Sequence, residues 1–357
     1  MTIRELIKEM VDKDASDLFY RAGGVAHLKI DGKVVPVSNT LISVEDVIKG
    51  TQELMSEKQR ELLKHNLDVD FALYLTEFNR RVRISIFIQR NSPSIVLRNI
   101  RSQTSTFEDL HLPAEILKKL SLESRGLVLL SGSMGSGKST TIASMIQYIN
   151  ENCQKHILTV EEPIEYTFRD KHCVINQREL GLDVSSYASA LRAFTLQSPD
   201  VIFIGNIHDL ETMSAALTAA ETGVLVLSTL HTINASQSVE RIINFFPPHQ
   251  HQQIRSQLSS LLKGVISLRL LPMKGQPGRI PAYETMLLTP TISRLIREGK
   301  DWEIPNFIED GAVFGMQSFN QCLLGLFKED KISEEDALNF SDNKEELTLA
   351  LKGIRKV

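Results

Sequence analysis

The sequence predicts an α/β fold, a parallel sheet covered by helices and preceded by a small α+β domain, and three observations carry that prediction. The glycine-rich octapeptide Gly132-Ser133-Met134-Gly135-Ser136-Gly137-Lys138-Ser139 sits between the apolar run Leu127-Val128-Leu129-Leu130 and a helical stretch from Thr140 to about Asn150. Apolar runs recur at 157–160, 201–204 and 225–227. Between them lie apolar residues at helical spacing: Tyr187, Ala190, Leu191 and Phe194, then Met213, Ala216, Leu217 and Ala220. Buried strands alternating with amphipathic helices are the pattern of a parallel sheet. The first hundred residues instead carry short, alternating strand signals.

In chain order, a helix is expected over 3–11, with Ile3, Leu6, Ile7 and Met10 on one face. Short strands are expected over 16–20, 26–30 and 34–37, the last beyond the turn Asp31-Gly32, and helices over 44–54 and 56–63. From 81 to 90 the side chains alternate. Val82, Ile84, Ile86 and Ile88 face one way, and Arg81, Arg83 and Ser85 the other. Past Arg98 and Arg101 the polar stretch starting at Ser102 reads as a linker, so the domains are expected at 1–101 and 114–357 with 102–113 between them. The second begins with a helix over 114–120. After Leu230-His231-Thr232 the sequence reads as mostly helical, broken at Pro247-Pro248, with an exposed turn over 273–278.

A chain of 357 residues, 42% hydrophobic and 24% charged, has material for two domains with cores of their own. Its net charge of −4 weighs against a nucleic-acid partner. Cys153, Cys173 and Cys322 are far apart and form no C-x-x-C pair, so neither a disulfide framework nor a structural zinc site is expected, and a reducing cytoplasm fits. The first residues mix charges at once, without an export signal. No run approaches the roughly 18 apolar residues of a membrane span. The protein is therefore expected in the cytoplasm, docking at a membrane if it works there.

The octapeptide is a phosphate cradle. Glycine at both ends lets the backbone fold round an anion with its N–H groups inward. Lys138 is then placed to reach the β- and γ-phosphates of a nucleotide, Ser139 to offer its hydroxyl to Mg²⁺, and the helix from Thr140 to add its positive end. ATP and Mg²⁺ are the expected ligands. Hydrolysis further needs a carboxylate to orient or deprotonate the attacking water. The run 157–160 ends in Glu161-Glu162, whose side chains an extended backbone turns to opposite sides. Glu161 is the candidate, with two solvated strand-end acids as the plain alternative. After 201–204 and Gly205, where such an ATPase usually places its second acid, stands Asn206, whose amide holds a water but takes no proton. His231 is either a γ-phosphate sensor or a structural hydrogen-bond partner. Arg81 and Arg83 are either a solvated strand face or fingers reaching a neighbouring subunit's phosphates, a role worth roughly 10³ to 10⁵ in rate.

With those residues placed, the chain resembles the PilT/PilU family of type IV pilus retraction ATPases nearly end to end. The matching stretches are 10–18, the phosphate loop, Thr159-Val160-Glu161-Glu162-Pro163-Ile164-Glu165, Ile175-Asn176-Gln177-Arg178-Glu179, Leu217-Thr218-Ala219-Ala220-Glu221-Thr222-Gly223 and Leu295-Ile296-Arg297-Glu298-Gly299-Lys300. Phe245-Phe246-Pro247 and Gly315-Met316-Gln317-Ser318-Phe319 are similar to the PilU branch. The resemblance implies a RecA-like ATPase domain after a PAS-like domain, in a homo-hexameric ring on the cytoplasmic side of the inner membrane. It implies as partners the pilus platform protein and a paralogous retraction ATPase. It also implies intersubunit roles for Arg81 and Arg83, the acid-box role for Glu161 and the second His-box position for His231, while Arg98 and Arg241 fall on further family arginines. Departures gather in one place. Asn206 replaces the family's second-motif glutamate, Glu162 an aspartate, His208 and Leu196 arginines, and Val224 the first His-box histidine. That clustering implies weak or partner-dependent hydrolysis. Two alternatives stay open: a ring that binds ATP, hydrolyses little and couples an active paralogue, and a secretion ATPase of the same superfamily. The second lacks its usual tetracysteine zinc element here.

Overall fold

The computed structural model describes residues 2–30, 32–78, 80–100 and 104–354. Asp31 of the expected turn, Arg101, and the start of the expected linker at Ser102 lie outside them. The chain divides into two compact units, Met1–Gln103 with Glu165–Thr167 and Thr104–Ile164 with Phe168–Val357.

The first unit runs α1 (Ile3–Asp12), β1 (Asp17–Arg21), β2 (His27–Ile30), β3 (Lys33–Pro36), α2 (Val44–Leu54), α3 (Glu57–Asn66), β4 (Asp68–Leu75), β5 (Arg80–Gln89) and β6 (Ser92–Ile100). All three helices open on a capping box, Thr2 with Glu5, Ser43 with Asp46 and Ser56 with Gln59, which satisfies the N–H groups a helix start leaves bare. The strands form one antiparallel sheet in the order β3-β2-β1-β6-β5-β4. Ile3, Leu6, Ile7 and Met10 of α1 share its core with Val82, Ile84 and Ile86 of β5. Ile88, expected on the same face, is 37% exposed near the end of β5, where the core has run out.

The second unit runs α4 (Ala114–Ser121), β7 (Gly126–Ser131), α5 (Lys138–Asn152), β8 (His156–Glu161), β9 (Val174–Glu179), α6 (Tyr187–Phe194), β10 (Val201–Ile204), α7 (Leu210–Glu221), β11 (Leu225–Leu230), α8 (Ala235–Asn244), α9 (His251–Leu261), β12 (Leu262–Pro272), β13 (Arg279–Leu287), α10 (Pro290–Glu298), α11 (Ile304–Glu309), α12 (Phe319–Lys328), α13 (Glu334–Asn339) and α14 (Lys344–Leu351). Its seven-stranded sheet has the order β13-β12-β7-β11-β10-β8-β9. Neighbours are parallel except β13, which returns antiparallel along β12.

Here the expectation of a mostly helical stretch beyond residue 232 is corrected, because β12 and β13 extend the sheet. Both are buried on both faces over most of their length, so the alternation that marks a half-exposed strand is absent. Outside them, α12 to α14 close a core of their own, with Leu271, Ile280, Phe319, Leu323 and Ile332. Arg269 lies 3.7 Å over the Phe319 ring and donates to the Phe340 carbonyl and to Asp342, both at 2.5 Å. At the outer edge of β13, Thr285 N–H donates to Gln317 O at 2.8 Å and Gln317 N–H to Thr285 O at 3.2 Å. Among the described residues no helix is long and apolar enough to cross a membrane.

Candidate functional site

The sheet order sets the carboxyl ends of β7, β11, β10 and β8 side by side. The segments leaving them carry, in that sequence, the phosphate loop, His231, Asn206 and Glu161. With strands about 4.8 Å apart, the backbone at Glu161 lies roughly 14 Å along the sheet from β7, and that at His231 only one strand away.

The loop geometry follows from its glycines. Gly132 has φ 142°, and a Cβ there would sit 2.5 Å from both the Leu268 carbonyl oxygen and Ser136 Oγ, so only glycine lets the loop rest on β12. Gly135 and Gly137 also take positive φ. Lys138, buried at the start of α5, donates through Nζ to Gly132 O at 2.6 Å and Ser133 O at 2.8 Å, which ties the two ends of the octapeptide together. Ser136 is buried and its hydroxyl has no hydrogen-bond partner. A buried hydroxyl without a partner, beside a lysine ammonium and in a loop whose glycines take positive φ, is what a phosphate oxygen would satisfy, so the residues fit a nucleotide phosphate. Ser133, Met134 and Gly135 form the exposed crest, with Met134 90% exposed, while Ser139 and Thr140 are partly buried in the first turn of α5.

Asn206 follows β10, and β11 holds its backbone from both sides. Thr229 Oγ1 donates to Gly205 O at 2.7 Å, and Ile207 N–H donates to Thr229 O at 3.2 Å. Its side-chain Oδ1 is buried without a hydrogen-bond partner, a second orphan polar atom at this end of the sheet. Gly205 permits a close approach, since a Cβ there would meet Glu161 Cα at 3.2 Å and the Tyr187 hydroxyl at 3.4 Å. Burial first, then the charges of Glu162 and Glu161, push the Tyr187 phenol well above its ordinary range, which keeps it neutral.

Glu161 is 6% exposed and Glu162 is exposed. Glu161 Oε1 accepts from Thr159 Oγ1 at 2.6 Å and from Gln177 Nε2 at 3.2 Å. Thr159 pairs with Gln177 across β8 and β9, so the acid is oriented by its own strand and by the edge strand. Sequence reasoning missed both holders. Both lie within stretches that carry the family resemblance, and Thr159 also stands two residues before the acid, on the same strand face, but neither signal assigns a holding role. His231 is exposed, yet partial burial first and the nearby Lys138 charge second lower its imidazole pKa from 6.5. His208 lies edge-on to Tyr187 with ring centres 6.0 Å apart and 3.5 Å from Asp209.

Arg81 and Arg83 belong to the first unit. On β5 they share a face. Arg83 lies 3.6 Å from Asp70 and directly across from Arg98 on β6, and Arg98 bonds the buried Asp17 at 3.0 Å. Two guanidinium groups opposite each other are held there by flanking carboxylates, which offset the repulsion.

Comparison with known proteins places this geometry. The sequence matches the family model described as "Type II/IV secretion system protein" over residues 1–306. It is 42% identical over 352 residues to the type IV pilus ATPase PilU of Pseudomonas aeruginosa, covering 99% of this chain and 92% of that protein. It is 39% identical over 337 residues to the pilus retraction ATPase PilT of the same organism, covering 94% and 97%. A crystal structure of the pilus retraction motor PilT with bound ADP superposes with a TM-score of 0.90 at 42% identity, covering 98% of this chain and 99% of that one.

Proposed function

The chain belongs to the type II/IV secretion system protein family and is an ATPase, and from that premise we propose that it drives type IV pilus retraction as a subunit of a homo-hexameric ring. In this reading Lys138 and the loop N–H groups grip the ATP phosphates and Ser136 donates to one of their oxygens. Ser139 and Thr140 head the helix that faces them, with Ser139 the ligand to Mg²⁺, which supplies charge neutralisation there. Asn206 holds the attacking water, Glu161 supplies the carboxylate field, and His231 reports on the γ-phosphate. Arg81 and Arg83 reach the nucleotide of a neighbouring subunit. The ring works on the cytoplasmic side of the inner membrane, with the pilus platform protein and a paralogous retraction ATPase as partners.

The observation that carries the reading is the complete phosphate loop with its orphan Ser136 hydroxyl. One further observation favours a second reading. Asn206 presents an unfilled acceptor where a proton acceptor belongs, and missing general-base help lowers rates roughly 10² to 10⁴-fold. The ring would then bind ATP tightly and couple a more active paralogue to the pilus base. Mg²⁺-ATP turnover of the purified chain beside Asn206→Glu separates the two. A slow wild type and a faster variant support the coupling role, whereas a wild type as fast as the variant makes the chain a motor in its own right. Failure to bind ATP would remove both.

A further inference from the structure

Three adjacent strands of the second unit carry a buried polar row that the site described above does not use. Ser131, the last residue of β7, is in register with Ser267 of β12, and Ser267 with Glu284 of β13. Ser131 and Ser267 are fully buried and Glu284 is 5% exposed. Ser131 Oγ donates to Ser267 Oγ at 2.9 Å, and Ser267 Oγ donates to Glu284 Oε1 at 3.3 Å. The same Oε1 accepts the N–H of Ala235, the first residue of α8, at 2.7 Å.

The two ends of this chain of bonds are informative. Ser131 immediately precedes Gly132 of the phosphate loop, and Ala235 closes the short segment that begins at His231. Burying a carboxyl group is costly, and an apolar residue of similar size would fill the same space without that cost. We propose that Glu284 is a positioning residue for nucleotide binding, one acceptor that fixes the phosphate loop and the His231 segment at a set spacing. The inference rests on the reading of 132–139 as an ATP site.

The groups round Glu284 act on its charge in both directions. Burial raises the carboxyl pKa to about 7; the Ala235 N–H on α8 opposes the rise, Asp342 adds to it, and Ser267 and Arg269 on β12 oppose it. Asp342 is itself bonded to Arg269, and β7 presents only the neutral Ser131. Both bonds end on Oε1, which still accepts when a proton sits on Oε2, so protonation takes the charge assistance from the row and weakens it without breaking it. The spacing is therefore held best above about pH 7.

The test is titration of the full chain with mant-ATP and Mg²⁺ from about pH 6.5 to 8.5, a range that brackets the Glu284 carboxyl. Wild type, Glu284→Gln and Glu284→Ala are compared, with thermal melting of each in the absence of nucleotide. Wild-type affinity is expected to fall about threefold or more towards the acid end, while Glu284→Gln, which is neutral throughout like the protonated acid, gives a flat profile near the wild type's acid-end affinity and a near-wild-type melting temperature. Glu284→Ala is expected to bind about tenfold more weakly than Glu284→Gln at the alkaline end. If Glu284→Gln reproduces the wild-type pH profile, or both variants bind as the wild type does, the positioning role is wrong. If Glu284→Ala does not fold, the Gln profile decides alone. A wild type that binds no mant-ATP at any pH overturns the ATP site, and this inference with it.

Discussion

Two parts of one sheet edge invite comparison, the phosphate loop over β7 and β12 and the acid side at the ends of β10 and β8. The loop is closed on itself, with Lys138 bonded to Gly132 O and Ser133 O and Gly132 seated against Leu268. On the acid side Asn206 offers an unfilled amide oxygen, and Glu161 is turned into bonds with Thr159 and Gln177. In the proposed reading, the grip on phosphate comes from one contiguous octapeptide and the activation of water from side chains on separate strands, so a chain could keep the first intact while the second changes. That reading makes binding and hydrolysis separable.

The largest effect that would test this separation is Lys138→Ala. Loss of charge-assisted hydrogen bonds to phosphate, worth about 1.5–3 kcal/mol each, is expected to weaken ATP binding on the order of 10²-fold and take turnover to background. Equilibrium titration checks it, and unchanged affinity would end the assignment. Next comes Asn206→Glu, expected to raise kcat about 10²-fold or more while ATP affinity stays within about twofold. An equal change in affinity would show that the two sides are not separable. Thr159→Val removes one donor to Glu161 and is expected to cost about 1 kcal/mol of stability with ATP affinity untouched, read by melting and titration together.

The smallest effect is a pH dependence. The His231 imidazole is held below 6.5 by partial burial and then by Lys138, so the folded chain favours the neutral ring. As pH falls past 6.5 the unfolded chain binds more protons than the folded one, and stability declines with pH. His231→Gln is expected to narrow the difference in melting temperature between about pH 7.5 and 5.5. A variant with the same difference as wild type would show that the ring is too solvated to contribute.

How much of this was legible in the sequence depended on distance along the chain. The phosphate loop and the strands at 127–130, 157–160, 201–204 and 225–227 were legible because their signals are local: glycine spacing, apolar runs and helical periodicity. β12 and β13 were not, since burial on both faces erases the alternation that separates a strand from a buried helix. β9 is a mostly polar edge strand with little apolar signal of its own. Within the site, Glu161 and His231 could be nominated from strand ends, but the strand order that places His231 beside β7 and Glu161 three strands away is a matter of crossovers. Ser131 and Ser267 lie 136 residues apart and meet only through strand register, which no local pattern encodes.

The bridge between Thr285 and Gln317 has a consequence for solubility. β13 ends the sheet, and an outermost strand offers a row of bare N–H and C=O groups on which another chain can add itself. β9, at the opposite border, is guarded by polar side chains such as Asn176, Gln177 and Arg178. β13 is largely buried and apolar and has no such guard. A two-bond backbone clasp from Gln317, followed directly by the cap of α12, occupies that border instead. The segment leading into α12 thus takes up backbone groups of Thr285 on which a copy of the strand could otherwise add itself.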